Sequence, residues 1–300
     1  MLRVQLLGPV RAWRGGEELD LGGPRPRAVF GMLAMHAHRA VSRSELIDGI
    51  WDPDPPASAV NSVHVYISGL RRVLEPRRPC GAPWQVLAAD RAGYLLRLEP
   101  GQLDSAVLDR HLADARRLTA GRDLTAAARS LETALGLWQG ASLAGIPGPW
   151  ADIERARLDE LRQAAIEDRI DALLALGGHH QALAELAALT RQYPLRERFR
   201  GQAMLALYRC GRQGDALAAF ADARRVLAEQ LGLDPGPELR RLHQQILDAS
   251  AALDPPGAAL DPPGRGAPAD AAAPADAAAR ADAPAPADAV GRADAAARRM

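Results

Sequence analysis

The sequence predicts a mainly α-helical protein with a small β component. Apolar side chains recur at helical spacing in residues 60–74, beside a pair of arginines. Between residues 173 and 220, small and apolar residues repeat with a period of 34 positions, which is typical of stacked helix pairs. Short alternating segments within residues 2–21 and 84–97 account for the β component.

The composition is that of a globular protein with room for two or three domains. The chain has 300 residues, of which 48% are hydrophobic and 25% are charged. It contains no apolar run of membrane-spanning length, and its first residues have too short an apolar core for a signal peptide. We therefore expect a cytoplasmic protein without a membrane partner.

Cysteine usage argues against a disulfide framework and against a zinc site. Cys80 and Cys210 are the only cysteines, and neither has a histidine close to it in the sequence. We expect two buried or unreactive thiols, and we predict no metal and no cofactor.

Positive charge is concentrated in the first third of the chain. The 37 basic residues are all arginine, and they balance 37 acidic residues over the whole chain. Residues 1–99 nevertheless carry a net charge of +3. This modest excess lies in the segment that contains the arginine pair.

The first 23 residues alternate in short apolar and polar pieces and predict a small antiparallel sheet, with segments at residues 2–7 and 18–21. The pattern becomes helical from Arg27 to His38. Pro24 and Pro26 precede this segment, where proline is tolerated at a helix start. We expect this helix to cover the core of an N-terminal domain.

Two further helices and a hairpin follow. Ser42 and Glu45 have the spacing of a capping box at the start of a short helix, and the prolines within residues 52–56 end that helix. Another helix is expected from near Ala57, and residues 84–97 predict two strands around a glycine-containing turn. This order predicts a winged helix-turn-helix at residues 1–99. The apolar stripe of the helix that begins near Ala57 consists of Val60, Val63, Ile67, Leu70 and Leu74. The expected core includes Trp51, Val63, Ile67 and Leu70.

The arginine pair, Arg71 and Arg72, admits two interpretations. An ordinary amphipathic helix with a solvated arginine pair fits the pattern of that helix alone. The combination of a cap, a proline-rich turn, a second helix and a hairpin instead favours a helix that enters the major groove of double-stranded DNA.

Residues 100–252 predict tetratricopeptide-like helices, because helix pairs of that kind repeat every 34 residues. A third, weaker repeat is expected around Gly121, with Ala126 at the position of the small residue between the paired helices. The pairs separated by 34 positions are Gly177 and Gly211, Ala182 and Ala216, Leu186 and Phe220, and Leu173 and Leu207.

Residues 253–300 are rich in Ala, Pro and Asp and have almost no apolar side chain larger than alanine. Such a segment buries too little surface to offset its chain entropy. We predict a disordered tail.

These motifs resemble a known family. Residues 1–99 resemble the OmpR-type winged helix, and residues 100–252 are similar to the bacterial transcriptional activation domain. The two together resemble the Streptomyces antibiotic regulatory protein family, in its small form. A phosphate-binding Gly-x-x-x-x-Gly-Lys-[Ser/Thr] motif needs a lysine, and this chain has none, so ATP hydrolysis is not predicted. The first resemblance is carried by residues 21–28, 42–47 and 67–72, and the second by residues 137–140, 158–162, 205–212 and 231–239.

The resemblance implies a transcriptional activator that binds direct repeats near the −35 region of a promoter as a homodimer. Half-sites read from one face of the DNA would lie about one helical turn, ~10 to 10.5 bp, apart. It further implies recruitment of RNA polymerase holoenzyme with its sigma factor to secondary-metabolite (antibiotic) biosynthesis genes. Such a protein would be cytoplasmic and associated with the nucleoid.

Two positions depart from the family's pattern. Gly69 stands where the family usually has the first arginine of Ser-Arg-Leu-Arg-Arg, and a glycine inside a helix costs ~1 kcal/mol relative to alanine. Asp90 stands in the wing where an arginine is expected, although Arg91 follows it directly and could replace it. Both departures bear on base specificity rather than on DNA binding itself.

The candidate DNA-binding residues divide by role. Positions on the exposed face of the helix that begins near Ala57 are expected to meet base edges or phosphates in the major groove. The other positions are expected to hold flanking phosphates. The first group is Asn61, Ser62, Tyr66, Arg71 and Arg72, and the second is Arg25, Arg43 and Tyr94, with Arg91 at the tip of the wing.

Catalysis has little support. Adjacent side chains on a helix diverge, so His179 and His180 indicate a solvated helix start rather than a metal site. The acidic residues follow helix faces and do not pair with a nucleophile or base, so no enzyme is predicted. Two other functions stay open: an interaction scaffold that has lost specific DNA binding, and a sensor whose helical surface accepts a peptide or small molecule.

Overall fold

A three-stranded antiparallel sheet, three helices and a two-stranded hairpin form the first part of the computed structural model, which describes residues 1–51 and 54–254. The predicted winged helix-turn-helix is confirmed. The elements are β1 (Leu2–Gln5), β2 (Arg11–Arg14), β3 (Glu17–Glu18), α1 (Pro24–Met35), α2 (Arg43–Ile50), α3 (Ala59–Leu74), β4 (Leu87–Asp90) and β5 (Gly93–Leu96).

The N-terminal sheet confirms the predicted antiparallel arrangement and adds a strand. β1 pairs with β2 so that Leu2 lies opposite Arg14, and β2 pairs with β3 so that Trp13 lies opposite Glu18. Leu2 and Val4 are buried, as expected for side chains that share one face of a strand. The β2 segment was not among the predicted strands, because Arg11–Arg14 contains a single buried residue.

The first helix begins and ends three residues earlier than the predicted range of 27–38. Pro24 and Pro26 lie inside its first turn, because a proline at the start of a helix removes no hydrogen bond that the helix needs. At the other end, His38 adopts a left-handed backbone conformation with φ of 66°, which stops the helix.

The second helix begins with the predicted capping box. The Ser42 hydroxyl accepts from the Glu45 backbone N–H at 3.1 Å, and the Glu45 carboxylate accepts from the Ser42 backbone N–H at 2.7 Å. Residues 52 and 53, at the start of the predicted proline-rich turn, lie outside the described residues. The third helix then starts at Ala59, two residues after its predicted start.

The buried face of α3 differs from the predicted stripe at one position. Trp51, Val63, Ile67 and Leu70 are buried, which confirms the predicted core. Val60, however, is 46% exposed. In the first turn of α3, Ala59 packs into the core, so the neighbouring side chain of Val60 points away from the core.

The second part of the chain consists of antiparallel helix pairs, as the 34-residue period predicted. Ala182 and Ala216 are fully buried where the paired helices meet. Gly177 and Gly211 both adopt left-handed conformations in the turns that open these helices. The helices are α4 (Asp104–Ala120), α5 (Leu124–Leu135), α6 (Pro149–Ala175), α7 (His179–Gln192), α8 (Glu197–Arg209), α9 (Gln213–Leu231) and α10 (Pro237–Leu247), followed by a 3₁₀ turn at Ala251–Leu253.

The predicted register of the third repeat was wrong by one residue. The left-handed position between α4 and α5 is Arg122, with φ of 63°, and not Gly121. Counting five residues from it, as from Gly177 to Ala182, leads to Ala127, which is fully buried, whereas Ala126 is half-buried. An arginine, and not a glycine, occupies the left-handed position in this turn, so the spacing of the glycines alone misplaced the repeat.

The start of the predicted tail belongs to the helical part. Leu253 is buried against α8, α9 and α10, and its carbonyl accepts from Arg209 Nε at 2.7 Å. Residues 255–300, on which the rest of the tail prediction rests, lie outside the described residues. Among the described helices, none has a stretch long and apolar enough to cross a bilayer.

One hydrophobic cluster crosses the predicted domain boundary between residues 99 and 100, reaching from Leu2 to Ala165. α2 packs closely on the start of α6, where a Cβ atom built on Gly148 would lie 2.6 Å from the carbonyl oxygen of Gly49. The winged helix and the first helices that follow it therefore share a core.

A half-buried carboxylate lies at this junction. Asp104, at the start of α4, accepts from the backbone N–H groups of Leu6 and Leu7 at 2.8–2.9 Å. Burial raises the pKa of Asp104 to about 6, against the opposing effect of these backbone hydrogen bonds. Because this pKa lies above the ordinary value of 3.8, the stability that Asp104 contributes decreases as the pH rises from 3.8 to about 6.

We expect Asp104→Ala to lower the free energy of unfolding by about 1–3 kcal/mol, because it leaves the N–H groups of Leu6 and Leu7 without an acceptor. Urea unfolding at pH 5 and pH 7 measures this loss. The loss should be larger at pH 5, because the wild type gives up part of the Asp104 contribution as the pH rises.

The matched control is Asp109→Ala, which removes an exposed carboxylate from the same helix. It should change stability little at either pH. A difference between wild type and Asp104→Ala that grows with pH would show that the hydrogen bonds outweigh burial.

Candidate nucleic-acid interface

The exposed side of α3 lies opposite its buried stripe. Val63, Ile67 and Leu70 face the core, and the exposed residues follow one another at spacings of three and four positions, which places them on one side of a helix. We call this set the outer face: Asn61, His64, Val65, Ser68, Gly69 and Arg72.

Sequence reasoning found part of the outer face. Asn61 and Arg72 lie on it as predicted, whereas Ser62 is half-buried at its margin. His64, Val65 and Ser68 were missed. A helical count from Asn61, away from the apolar stripe, would have identified Val65 and Ser68.

Arg71 does not lie on the exposed side, contrary to the prediction. It is half-buried, and its Nε donates to the carbonyl of Leu87 in the wing at 2.9 Å. Its guanidinium carbon lies 5.6 Å from the Trp84 ring centroid and 5.9 Å from that of Tyr94. Partial burial lowers the pKa of Arg71, although an arginine stays charged in proteins. Arg71 therefore ties the wing to α3.

Tyr66 and Tyr94 also occupy the flanks of α3 and not its exposed side. Tyr66 is half-buried and stacks on Trp51 with ring centroids 6.4 Å apart. Tyr94 is only 8% exposed, and its hydroxyl lies 3.3 Å from His64 Nδ1. The predicted place of Tyr66 on the exposed face was wrong, because its ring rests on Trp51.

The remaining predicted arginines are exposed on three elements around α3. Arg25 lies at the start of α1, Arg43 is the first residue of α2, and Arg91 lies at the tip of the wing. α1 and α2 contact α3 directly, and the wing contacts α3 through β4. Arg25 is further positioned by Trp51, whose ring centroid lies 5.7 Å from the guanidinium carbon.

Asp90 has a structural role at the tip of the wing. Its carboxylate accepts from the Ala92 backbone N–H at 2.8 Å, which closes the two-residue turn between β4 and β5. Arg91, inside that turn, is exposed. The departure from the family's arginine at residue 90 thus leaves a charged side chain at the wing tip.

Gly93 allows the wing to approach the segment between α1 and α2. Val41 and Tyr94 exchange backbone hydrogen bonds of 2.9 Å. A Cβ atom built on Gly93 would lie 2.0 Å from the carbonyl oxygen of Val41. Any side chain at this position would therefore displace the wing.

We expect Gly93→Ala to destabilise the protein by about 1–3 kcal/mol, because the backbone of Val41 blocks the added methyl group. Gly69→Ala is the matched control. A Cβ atom built on Gly69 meets no other atom within 4 Å in the part of the chain that the structure describes, so that change should instead stabilise α3 by about 1 kcal/mol. Thermal unfolding of the two variants beside the wild type checks both signs, and an unchanged midpoint for Gly93→Ala would contradict the close approach.

His179 is only partly solvated, contrary to the prediction, whereas His180 is exposed. The Nδ1 atom of His179 is buried without a hydrogen-bond partner among the described residues, and burial lowers the pKa of that histidine. His180 Nδ1 lies 3.6 Å from Cys210 Sγ, so this cysteine has a histidine neighbour that the sequence did not show. Cys80 is exposed, not buried. Within residues 1–51 and 54–254, no three His, Cys, Asp or Glu side chains are grouped to hold a metal ion.

The chain thus combines a winged helix with antiparallel helix pairs packed against it. Two family models match the chain. The first, transcriptional regulatory protein, C terminal, matches residues 16–96. The second, bacterial transcriptional activator domain, matches residues 103–247.

Several characterised proteins are similar to this chain. The transcriptional regulator RedD of Streptomyces coelicolor is 37% identical over 90% of the chain and 77% of its own length. The regulatory protein DnrI of Streptomyces peucetius is 34% identical over 84% of the chain and 94% of its own length. The regulatory protein AfsR of Streptomyces griseus is 44% identical over 85% of the chain, which spans a quarter of AfsR.

A solved structure of Mycobacterium tuberculosis EmbR in complex with a low-affinity phosphopeptide has the same fold. It is 33% identical, with a TM-score of 0.78, over 83% of this chain and 65% of that chain. The chain belongs to the Streptomyces antibiotic regulatory protein family.

Proposed function

We propose that the protein is a sequence-specific DNA-binding transcriptional activator and that the outer face of α3 reads promoter DNA. The observation that carries the proposal is the division of α3 into a fully buried stripe and an exposed side that no other element within residues 1–51 and 54–254 covers. A helix presented in this way fits the major groove, which admits an α-helix.

The proposed contacts differ in kind. Asn61 and Arg72 have the geometry for bidentate bonds to base edges, and Ser62 lies beside them. Arg25, Arg43 and Arg91 are exposed around α3 and are suited to phosphates on either side of the groove.

The remaining three predicted residues act from the flanks in this proposal. Arg71 and Tyr94 hold the wing, and Tyr66 braces α3 against Trp51. They would influence DNA binding by orienting the helix and the wing. These three side chains expose little surface that could contact a phosphate.

The wider proposal follows the family. Two copies would bind direct repeats as a homodimer, with half-sites about one helical turn, ~10 to 10.5 bp, apart. The helical part would then present a surface to RNA polymerase holoenzyme and its sigma factor at secondary-metabolite (antibiotic) biosynthesis genes. The protein would act without catalysis of its own, in the cytoplasm and on nucleoid DNA.

A mobility-shift experiment with the full chain and the intergenic DNA of its own gene neighbourhood tests the proposal. Arg72→Ala should weaken specific binding by about 1–3 kcal/mol, because it removes a contact from the outer face. Arg191→Ala, which removes an exposed arginine from the last turn of α7, is the matched control and should bind like the wild type. Specific binding should also weaken as salt rises, because phosphate contacts release counterions.

Equal affinity for this DNA and for random duplex, at every moderate salt concentration, would contradict sequence-specific binding. The interaction scaffold would then be the better explanation. Arg71→Ala distinguishes orientation from direct contact, because it should lower the unfolding midpoint as well as the affinity.

A further inference from the structure

The outer face carries an apolar side chain in the middle of its polar residues. Val65 is 59% exposed and lies four residues after Asn61 and seven residues before Arg72, so the three share one side of α3. We propose that Val65 reads the C5 methyl group of a thymine in each half-site. This inference rests on the proposed DNA-binding function and specifies one base of its target.

The fold itself does not account for this valine. The stripe that stabilises α3 consists of fully buried residues on the opposite side, among them Val63 and Ile67. Val65 thus contributes little to the core. A branched apolar residue that is exposed in mid-helix also lowers helix propensity slightly compared with alanine.

The chemistry of the major groove favours one partner for Val65. Each base edge there presents hydrogen-bond donors or acceptors, and thymine alone adds a methyl group. Valine can neither donate nor accept, so a polar edge packed against it would lose water without gaining a bond. A thymine methyl packed against it gains apolar contact instead.

The neighbouring residues let a short side chain reach the groove floor. Ser68 and Gly69 occupy the next turn of the outer face, and no atom of the described residues lies within 4 Å of the Cβ position of Gly69. An arginine at residue 69 would hold the helix away from the bases or fill the space itself. Small residues allow the backbone of α3 to approach closely, and the stiff χ1 of valine fixes its methyl groups there.

Removal of single methyl groups from the DNA tests this assignment. The full chain first selects duplexes from a randomised library, and each thymine of the selected duplex is then replaced by deoxyuridine. A single replacement in one half-site should weaken wild-type binding by ~4-fold, which corresponds to about 0.8 kcal/mol for one buried methyl group. In Val65→Ala the same replacement should change affinity by less than ~2-fold, because the packing partner is gone.

Two further variants control the comparison. Val60→Ala truncates another exposed valine of α3 that lies off the outer face, and it should keep the full preference for thymine over deoxyuridine. Val65→Thr retains one methyl group at the same position and should give an intermediate preference. Because Val60 and Val65 are both exposed, none of the three variants should lower the unfolding midpoint.

The outcomes separate this inference from the proposed function. Selection of no duplex would contradict sequence-specific DNA binding as a whole. A selected duplex that tolerates deoxyuridine at every thymine would leave DNA binding standing and overturn the role of Val65. A thymine preference that survives in Val65→Ala would likewise overturn it, because another group would then be reading the methyl.

Discussion

The Asp104 carboxylate joins the two parts of the chain. Without it, the backbone N–H groups of Leu6 and Leu7, where the N-terminal sheet meets α4, would lose their acceptor in a buried setting. Around this bond, the hydrophobic cluster runs without a break from Leu2 to Ala165. The winged helix is therefore held against the helical part by a shared core and a half-buried polar contact, and not by a surface contact alone.

This shared core places α3 with its exposed side outward. α2 is held between α3 and the start of α6, where glycines at residues 49 and 148 bring the backbones into close approach. The wing is held to α3 by Arg71 and to the segment before α2 by the Val41–Tyr94 pairing. Contacts on both flanks thus fix the orientation of the helix proposed to read DNA, which is what a precise fit to a groove requires.

The residues of α3 show where sequence reasoning succeeds and where it fails. Val63, Ile67 and Leu70 were identified as core, because a helical period requires no knowledge of neighbouring elements. Arg71 and Tyr66 were placed on the exposed side, because their chemistry is typical of DNA contacts. Whether a flank of a helix is covered depends on what packs beside it, and that partner is distant in sequence: Leu87 for Arg71, and Trp51 for Tyr66.

The sequence by itself determined the order of helix, helix and hairpin, the capping box at Ser42 and the pairing of helices in the second part. Each depends on local spacing or on a repeated turn, so the information lies within a few residues. Only the tertiary structure decided that Tyr94 is buried, that Arg122 takes the turn position beside Gly121, and that Asp104 joins the two parts. The burial of Tyr94 and the contacts of Asp104 depend on segments that are far apart in sequence and pack in a common core. The turn at Arg122 lacks the glycine that usually marks such a position, so its sequence does not reveal it.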